Sequence, residues 1–156
     1  MPKTIQVRDD VFATGSVACD FKELREFYRD NLEALTACFD ECKKIFEIDD
    51  VSLLFNNIRK KATVGMYKLN EKQICLDLRS YDLTAIVGTI IHEMCHAKQH
   101  AEGRLTFGEG KGVAYKFDGE DFAKPKNHDE YLALPWEIEA RAATDKYLKR
   151  VMKKIK

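Results

Sequence analysis

Residues 86–103 read IVGTIIHEMCHAKQHAEG. The first half of this stretch is apolar nearly all round, which marks a buried helix rather than a solvated one. On a helix, residues four apart share a face, with about 5–6 Å between their Cβ atoms. His92 and His96 therefore can aim ring nitrogens at one cation, and zinc accepts imidazole nitrogen at about 2.0–2.1 Å. Glu93 adjoins the first histidine and is not placed to be a neat third donor to the same ion. It is placed to take a proton from water that a metal has acidified. That division of labour is why the chemistry asks for the order His-Glu-x-x-His. Imidazoles at the end of a buried helix also need partners for their polar nitrogens, and a metal supplies one.

A catalytic zinc site needs a third protein ligand and one open position. His100 continues the series but lies about 12 Å along the axis from His92, too far for a straight helix to close on one ion. His128, in KPKNHDEY (124–131), belongs to a loop that can fold back, and a solvated loop histidine has the same appearance. Two carboxylates compete in LPWEIEARAATDKYL (134–148), where Ala140, Ala143, Tyr147 and Val151, with Trp136 nearby, define an apolar helix face. At 100° per residue, Glu137 falls about 60° from the centre of that face and Glu139 about 100° away. Glu137 is thus nearer the buried border where a metal sits. The helix dipole also favours a glutamate in a first turn for purely structural reasons, so Glu139 and His128 stand as alternative third ligands.

Around these two segments the chain reads as a single α+β domain over residues 1–156. A short strand is expected at Ile5–Val7. The stretch DFKELREFYRDNLEALTACFDECKKIFEI (20–48) predicts a long N-terminal helix, because Phe21, Leu24, Tyr28, Leu32, Leu35, Phe39, Cys42 and Phe46 recur at steps of three and four. Asp20 followed by Glu23 fits an N-terminal cap pair, and Cys38 and Cys42 read as small core residues. Strands are expected at VSLLF (51–55), TVGMYKL (63–69) and QICLDLR (73–79), the last two joined as a hairpin through NEK. In the third strand Ile74, Leu76 and Leu78 alternate with Cys75, Asp77 and Arg79, as in a half-buried strand. The His-Glu-x-x-His helix follows, starting near Ser80–Asp82. Residues 104–134 read as Gly-rich and irregular, with one strand at GVAYKF (112–117). A last helix starts at Pro135, suited to a first helical position, and runs to about Lys153.

Bulk properties narrow the function classes. Lys plus Arg and Asp plus Glu balance at 26 each, so no global field favours nucleic acid or an anionic membrane. The basic end KYLKRVMKKIK is what the last turns of a helix favour. No apolar run approaches the roughly 18–20 residues of a membrane span, and MPKTIQVRDD lacks the apolar region of a signal peptide. The five cysteines, an odd number, point to thiols in a reducing compartment. A cytoplasmic location is expected.

The pair HEMCH and PWEIEARAA resembles the gluzincin branch of zinc metallopeptidases, whose second helix supplies a glutamate often written Glu-x-x-Ala-Asp/Asn. Glu137 matches the ligand position and Ala140 the alanine. Arg141 stands where those families often carry an acid or amide supporting a histidine ligand, with Asp145 and Asp129 as candidate substitutes. A metzincin-like pattern instead needs glycine at 99 and histidine at 102, where the chain has Gln99 and Glu102. In size and order the chain is similar to small phage and bacterial HExxH proteins and to minigluzincins, over roughly residues 74–148. The resemblance implies a compact zincin-like fold, one catalytic Zn2+ held by His92, His96 and Glu137, and Glu93 as general base and then acid. It also implies an edge strand that binds an extended peptide by strand addition, for which QICLDLR, directly before the active-site helix, is the candidate. The expected partner is a peptide or protein substrate.

Cys95 projects away from the histidines and reads as core. Tyr131 and Tyr115 are candidates to donate to a developing oxyanion, although each reads first as a packing aromatic with a wet hydroxyl. Trp136 is expected to anchor the last helix. Two rival readings use the same residues: an inactive zinc-stabilised zincin-fold binding module, and a metal-free helical interaction protein.

Overall fold

A computed structural model of the chain describes residues 5–7, 22–56, 65–77 and 82–155. In order, the elements are β1 (Ile5–Val7), α1 (Lys22–Phe46), β2 (Ser52–Asn56), β3 (Gly65–Lys68), β4 (Gln73–Asp77) and α2 (Leu83–Ala101). They continue as β5 (Leu105–Phe107), β6 (Tyr115–Phe117), β7 (Glu120–Phe122), α3 (His128–Leu132) and α4 (Pro135–Ile155). The fold is α+β, with two small sheets among the described residues.

The first sheet has the order β1-β2-β4-β3. β1, β2 and β4 run parallel, and β3 returns antiparallel to β4 with Gly65 opposite Leu76 and Lys68 opposite Gln73. The expected mixed sheet with its hairpin is therefore present. QICLDLR is not its edge, however: β4 lies inside, between β2 and β3, and β3 ends the sheet. Strand order depends on long-range pairing that chain order does not reveal. Cys75 also departs from the expected alternation. It is buried like Ile74 and Leu76, because Met66 of β3 packs on its face of the sheet. The expected cap at Asp20 and the outward-facing Arg79, together with Phe21, Cys19, Leu78 and Ser80, lie outside the described residues.

Three helices cover the sheet around one core. Along α1, Leu35, Cys38, Phe39, Cys42 and Phe46 are buried at the spacing of one helical stripe. α2 opens on Asp82, whose carboxylate accepts the Thr84 backbone N–H at 3.0 Å, satisfying one of the unpaired donors of a first helical turn. Its Ile86, Val87, Ile90, Ile91 and Met94 join that core, as do Ala140 and Val151 of α4. α2 is packed by α1, α4 and β3, so it is buried through most of its length. No described helix is long and apolar enough to cross a membrane.

Residues 105–122 form a second sheet where the sequence suggested an irregular loop with one strand. β5, β6 and β7 pair antiparallel in chain order. Asp118 and Gly119 turn the chain between β6 and β7 with φ of 50° and 86°. Two successive positive φ values are the mark of a tight hairpin turn, and Asp-Gly is a favoured pair for it. Trp136, at the start of α4, is the core of this sheet. The rings of Tyr115, Phe117 and Phe122 surround it with centroids 5.1–5.6 Å away. Aromatic burial of this kind fixes where α4 begins.

Candidate metal centre

α2 and α4 cross so that the middle of one faces the first turn of the other. Pro135 starts α4, and Leu134 accepts the backbone N–H groups of Glu137 and Ile138 at 3.0 Å. Burial of Trp136 and Ala140 then turns Glu137 inward, where it is 4% exposed. Its Oε1 lies 3.0 Å from His92 Nε2 and its Oε2 lies 2.9 Å from His96 Nε2. The two imidazoles stand edge to face, ring centroids 4.9 Å apart. The ligating atoms of His92, His96 and Glu137 all fall within 4.8 Å of one another, the one such group among the described residues.

The donor set fits zinc. Two imidazole nitrogens and one carboxylate leave the fourth tetrahedral position for water or substrate. Two ligands bound to zinc at about 2.0–2.1 Å lie roughly 3.3–3.4 Å apart, so the observed 2.9 and 3.0 Å contacts have to open only slightly.

Electrostatics agree with this geometry. Burial pushes the Glu137 carboxyl up, but hydrogen bonds from His92, His96 and Tyr131 outweigh it and hold the group well below the usual carboxylate range. Burial lowers the His96 imidazole, yet the hydrogen bond to Glu137 and the charges of Glu93 and Glu137 prevail and raise it to about 9. The His96 and Glu137 groups thus favour positive charge between them. Glu93 is buried beside the cluster. Desolvation pushes its carboxyl up, against the pull of His96 and His92, and the Tyr67 backbone N–H of β3 donates to it.

The other candidates have different neighbours. Glu139 faces away from the histidines and accepts Arg104 through both oxygens, at 2.9 and 2.7 Å. His128 is exposed at the first position of α3, its ring stacked on Tyr131 at 6.1 Å. His100 Nδ1 meets the Tyr67 hydroxyl at 3.0 Å. Cys95 is buried, as expected. Tyr131 is more than a packing aromatic, since its hydroxyl donates to Glu137 Oε1 at 2.9 Å. Asp145 borders the same cavity as His92, and His96 has a partner the sequence reading did not name: its Nδ1 lies 2.8 Å from Oε1 of Gln99, a fully buried amide. Spacing held a signal for it, because Gln99 stands three residues after His96 and hence on an adjoining face.

Two cavities open on either side of Glu93. The larger, about 660 Å³, runs past His92, Thr89, Arg141 and Asp145. The smaller, about 430 Å³, is walled by Met66, Leu69, Leu105, Tyr115, Leu134 and Trp136. Gly65 of β3 borders both. No family model matches the chain, and neither a curated protein nor a solved structure matches it.

Proposed function

We propose that this chain is a zinc-dependent peptidase with a compact zincin-like fold, in which His92, His96 and Glu137 hold the metal. The observation that carries this reading is the meeting of three ligating atoms from two helices beside the buried Glu93 carboxylate. Zinc held there supplies Lewis acidity toward water and toward the scissile carbonyl.

The remaining steps belong to the protein's own groups. Glu93 takes a proton from the attacking water and hands it to the leaving amine nitrogen. Its burial, which favours the protonated form, suits the second half of that exchange. The Tyr67 N–H holds the Glu93 carboxylate toward the cluster. Tyr131 steadies Glu137 by donating to Oε1.

A peptide is favoured as substrate because β3 ends the sheet among the described residues and runs beside the Glu93 face of α2. An extended chain that pairs with this edge spans both cavities and brings one of its amides to Glu93. A cytoplasmic setting fits the odd cysteine count and the burial of Cys38, Cys42 and Cys95 as thiols.

The test is metal content together with cleavage. Protein purified without chelator should carry about one zinc per chain and should cut members of a mixed peptide library. Absence of any stoichiometric transition metal overturns the reading. Bound zinc with no cleavage across the library leaves a zinc-stabilised binding module instead.

A further inference from the structure

Gln99 is the one fully buried side chain on the described part of α2 that can both donate and accept hydrogen bonds. Its amide nitrogen meets Cys95 Sγ at 3.6 Å and two groups that only accept: the Trp136 carbonyl at 3.2 Å and Glu139 Oε1 at 3.1 Å. Turned over, the amide would set its oxygen against both acceptors, leaving three acceptors together with only the weak Cys95 thiol, 3.6 Å away, to donate. The orientation is therefore decided by α4, and it leaves Oε1 facing His96 Nδ1 at 2.8 Å. A carbonyl oxygen only accepts, so Nδ1 must carry the hydrogen. Once a metal takes the place of the proton shared with Glu137, the imidazole has its lone pair on Nε2, the atom that faces that carboxylate.

Glu139 is itself held in place. Arg104 grips it with both terminal nitrogens, at 2.9 and 2.7 Å. The same guanidinium is tied through Nε to Asp118 Oδ1 at 2.8 Å and through a terminal nitrogen to Oδ2 at 3.2 Å. A continuous line of donors and acceptors thus runs from the β6–β7 turn through Arg104, Glu139 and Gln99 to His96. Each member has its polarity set by the one before it, since guanidinium only donates and carboxylate only accepts.

We infer that Gln99 is the positioning residue for His96, and that the Arg104–Glu139 pair orients its amide so that His96 presents Nε2 to the metal centre. The inference rests on the reading of His96 as a zinc ligand. It assigns the second sheet a task at the site: the Asp118–Gly119 turn anchors the far end of the line. It also explains why Glu139, a competitor of Glu137 for the ligand role, belongs to the site without touching the metal.

The test uses the full chain and zinc alone, comparing wild type with Gln99→Met and with the double variant Gln99→Glu, Glu139→Gln. Methionine fills the space and removes the acceptor. The double variant keeps an acceptor toward Nδ1 and moves the amide donors to position 139. Buried at position 99, the carboxyl is protonated on the oxygen that faces the Trp136 carbonyl and donates to it. Zinc affinity is read by competition with a chelator, and the protonated ring nitrogen of His96 by long-range nitrogen–proton NMR on the zinc-loaded protein. Gln99→Met should weaken zinc binding about 10–100-fold, the usual cost of losing the outer partner of a metal-bound histidine. The double variant should stay close to wild type, with Nδ1–H retained. Wild-type affinity in Gln99→Met overturns the inference and leaves the zinc site standing, whereas a wild type that binds no zinc overturns both. Should Gln99→Met not fold, the double variant decides alone: retained affinity with Nδ1–H supports the inference, and loss of affinity overturns it.

Discussion

The Nε2 atom of His96 and the Oε2 atom of Glu137 lie 2.9 Å apart, joining the middle of α2 to the first turn of α4. Glu137→Ala removes a charge and the proposed third ligand from the point where those helices meet. Its zinc affinity should fall by more than the roughly 10–100-fold that follows loss of an outer partner. Glu139→Ala, which releases Arg104 and loosens Gln99, should bind zinc more tightly than Glu137→Ala does. Measuring both affinities by chelator competition settles the assignment, and the reverse order would exclude Glu137 as the ligand.

Glu93 is set beside the cluster without being one of its three donors. Glu93→Gln preserves shape and removes the base, so zinc content should remain at the wild-type level. Any peptide hydrolysis should drop by about 10²–10⁴-fold, the usual share of general acid–base catalysis. Zinc assay and turnover on the same preparation separate the two effects. A variant that cuts at the wild-type rate removes Glu93 from the mechanism.

Zinc should also stabilise the fold, because its ligands come from two helices that meet only in the native state. At a free concentration a hundred times its Kd, binding adds about 2.7 kcal/mol. For a chain of this size that corresponds to a rise in Tm of roughly 5–10 °C. A strong chelator should reverse it. A melting curve that neither zinc nor chelator moves argues for a protein that uses these residues without metal.

Much of this arrangement is legible in the sequence where the physics is local. The apolar run before His92 makes a buried helix, and the helix face defined by Ala140 and Val151 already separates Glu137 from Glu139. Relationships that depend on tertiary pairing are harder to read. QICLDLR looks like an edge because it precedes α2, but β3 closes the sheet instead. The second sheet is the clearest omission, since Asp118-Gly119, with Phe117 before it and Phe122 after it, is a hairpin signal of the ordinary kind. Gln99 marks a different limit. Its spacing is visible, but which way its amide points is set by the Trp136 carbonyl and by Glu139, far along the chain.

His100 introduces a pH dependence of stability. Burial lowers its basicity from the ordinary value of 6.5, and the charge of Lys72, on the β3–β4 turn, adds to that; the Tyr67 hydroxyl of β3 bonds its Nδ1. As pH falls through 6.5 the unfolded chain takes up this proton before the folded chain does, so stability declines on the acid side. His100→Gln removes the proton site. Between about pH 7.5 and pH 5.5 the wild type should lose more unfolding free energy than His100→Gln, as measured by denaturant titration. Equal losses would show that His100 titrates alike in both states.

Gly65 lets the edge strand approach α2. A Cβ built there would sit 2.5 Å from Thr89 Cγ2 and 3.1 Å from Leu76 Cδ2. Thr89 cannot easily turn aside, because its hydroxyl donates to the Ala85 carbonyl at 3.0 Å. Gly65→Ala therefore costs about 1–3 kcal/mol of overpacking, set against about 0.4–1 kcal/mol gained by restricting the unfolded chain. The clash prevails, and Tm should fall by a few degrees. Thr89→Ser deletes the offending methyl, so Gly65→Ala combined with Thr89→Ser should recover most of the loss. That non-additivity is the signature of two side chains in contact. If the double variant melts no higher than Gly65→Ala alone, the strand is not held against α2 at this point, and the reach of the Tyr67 N–H to Glu93 needs another cause.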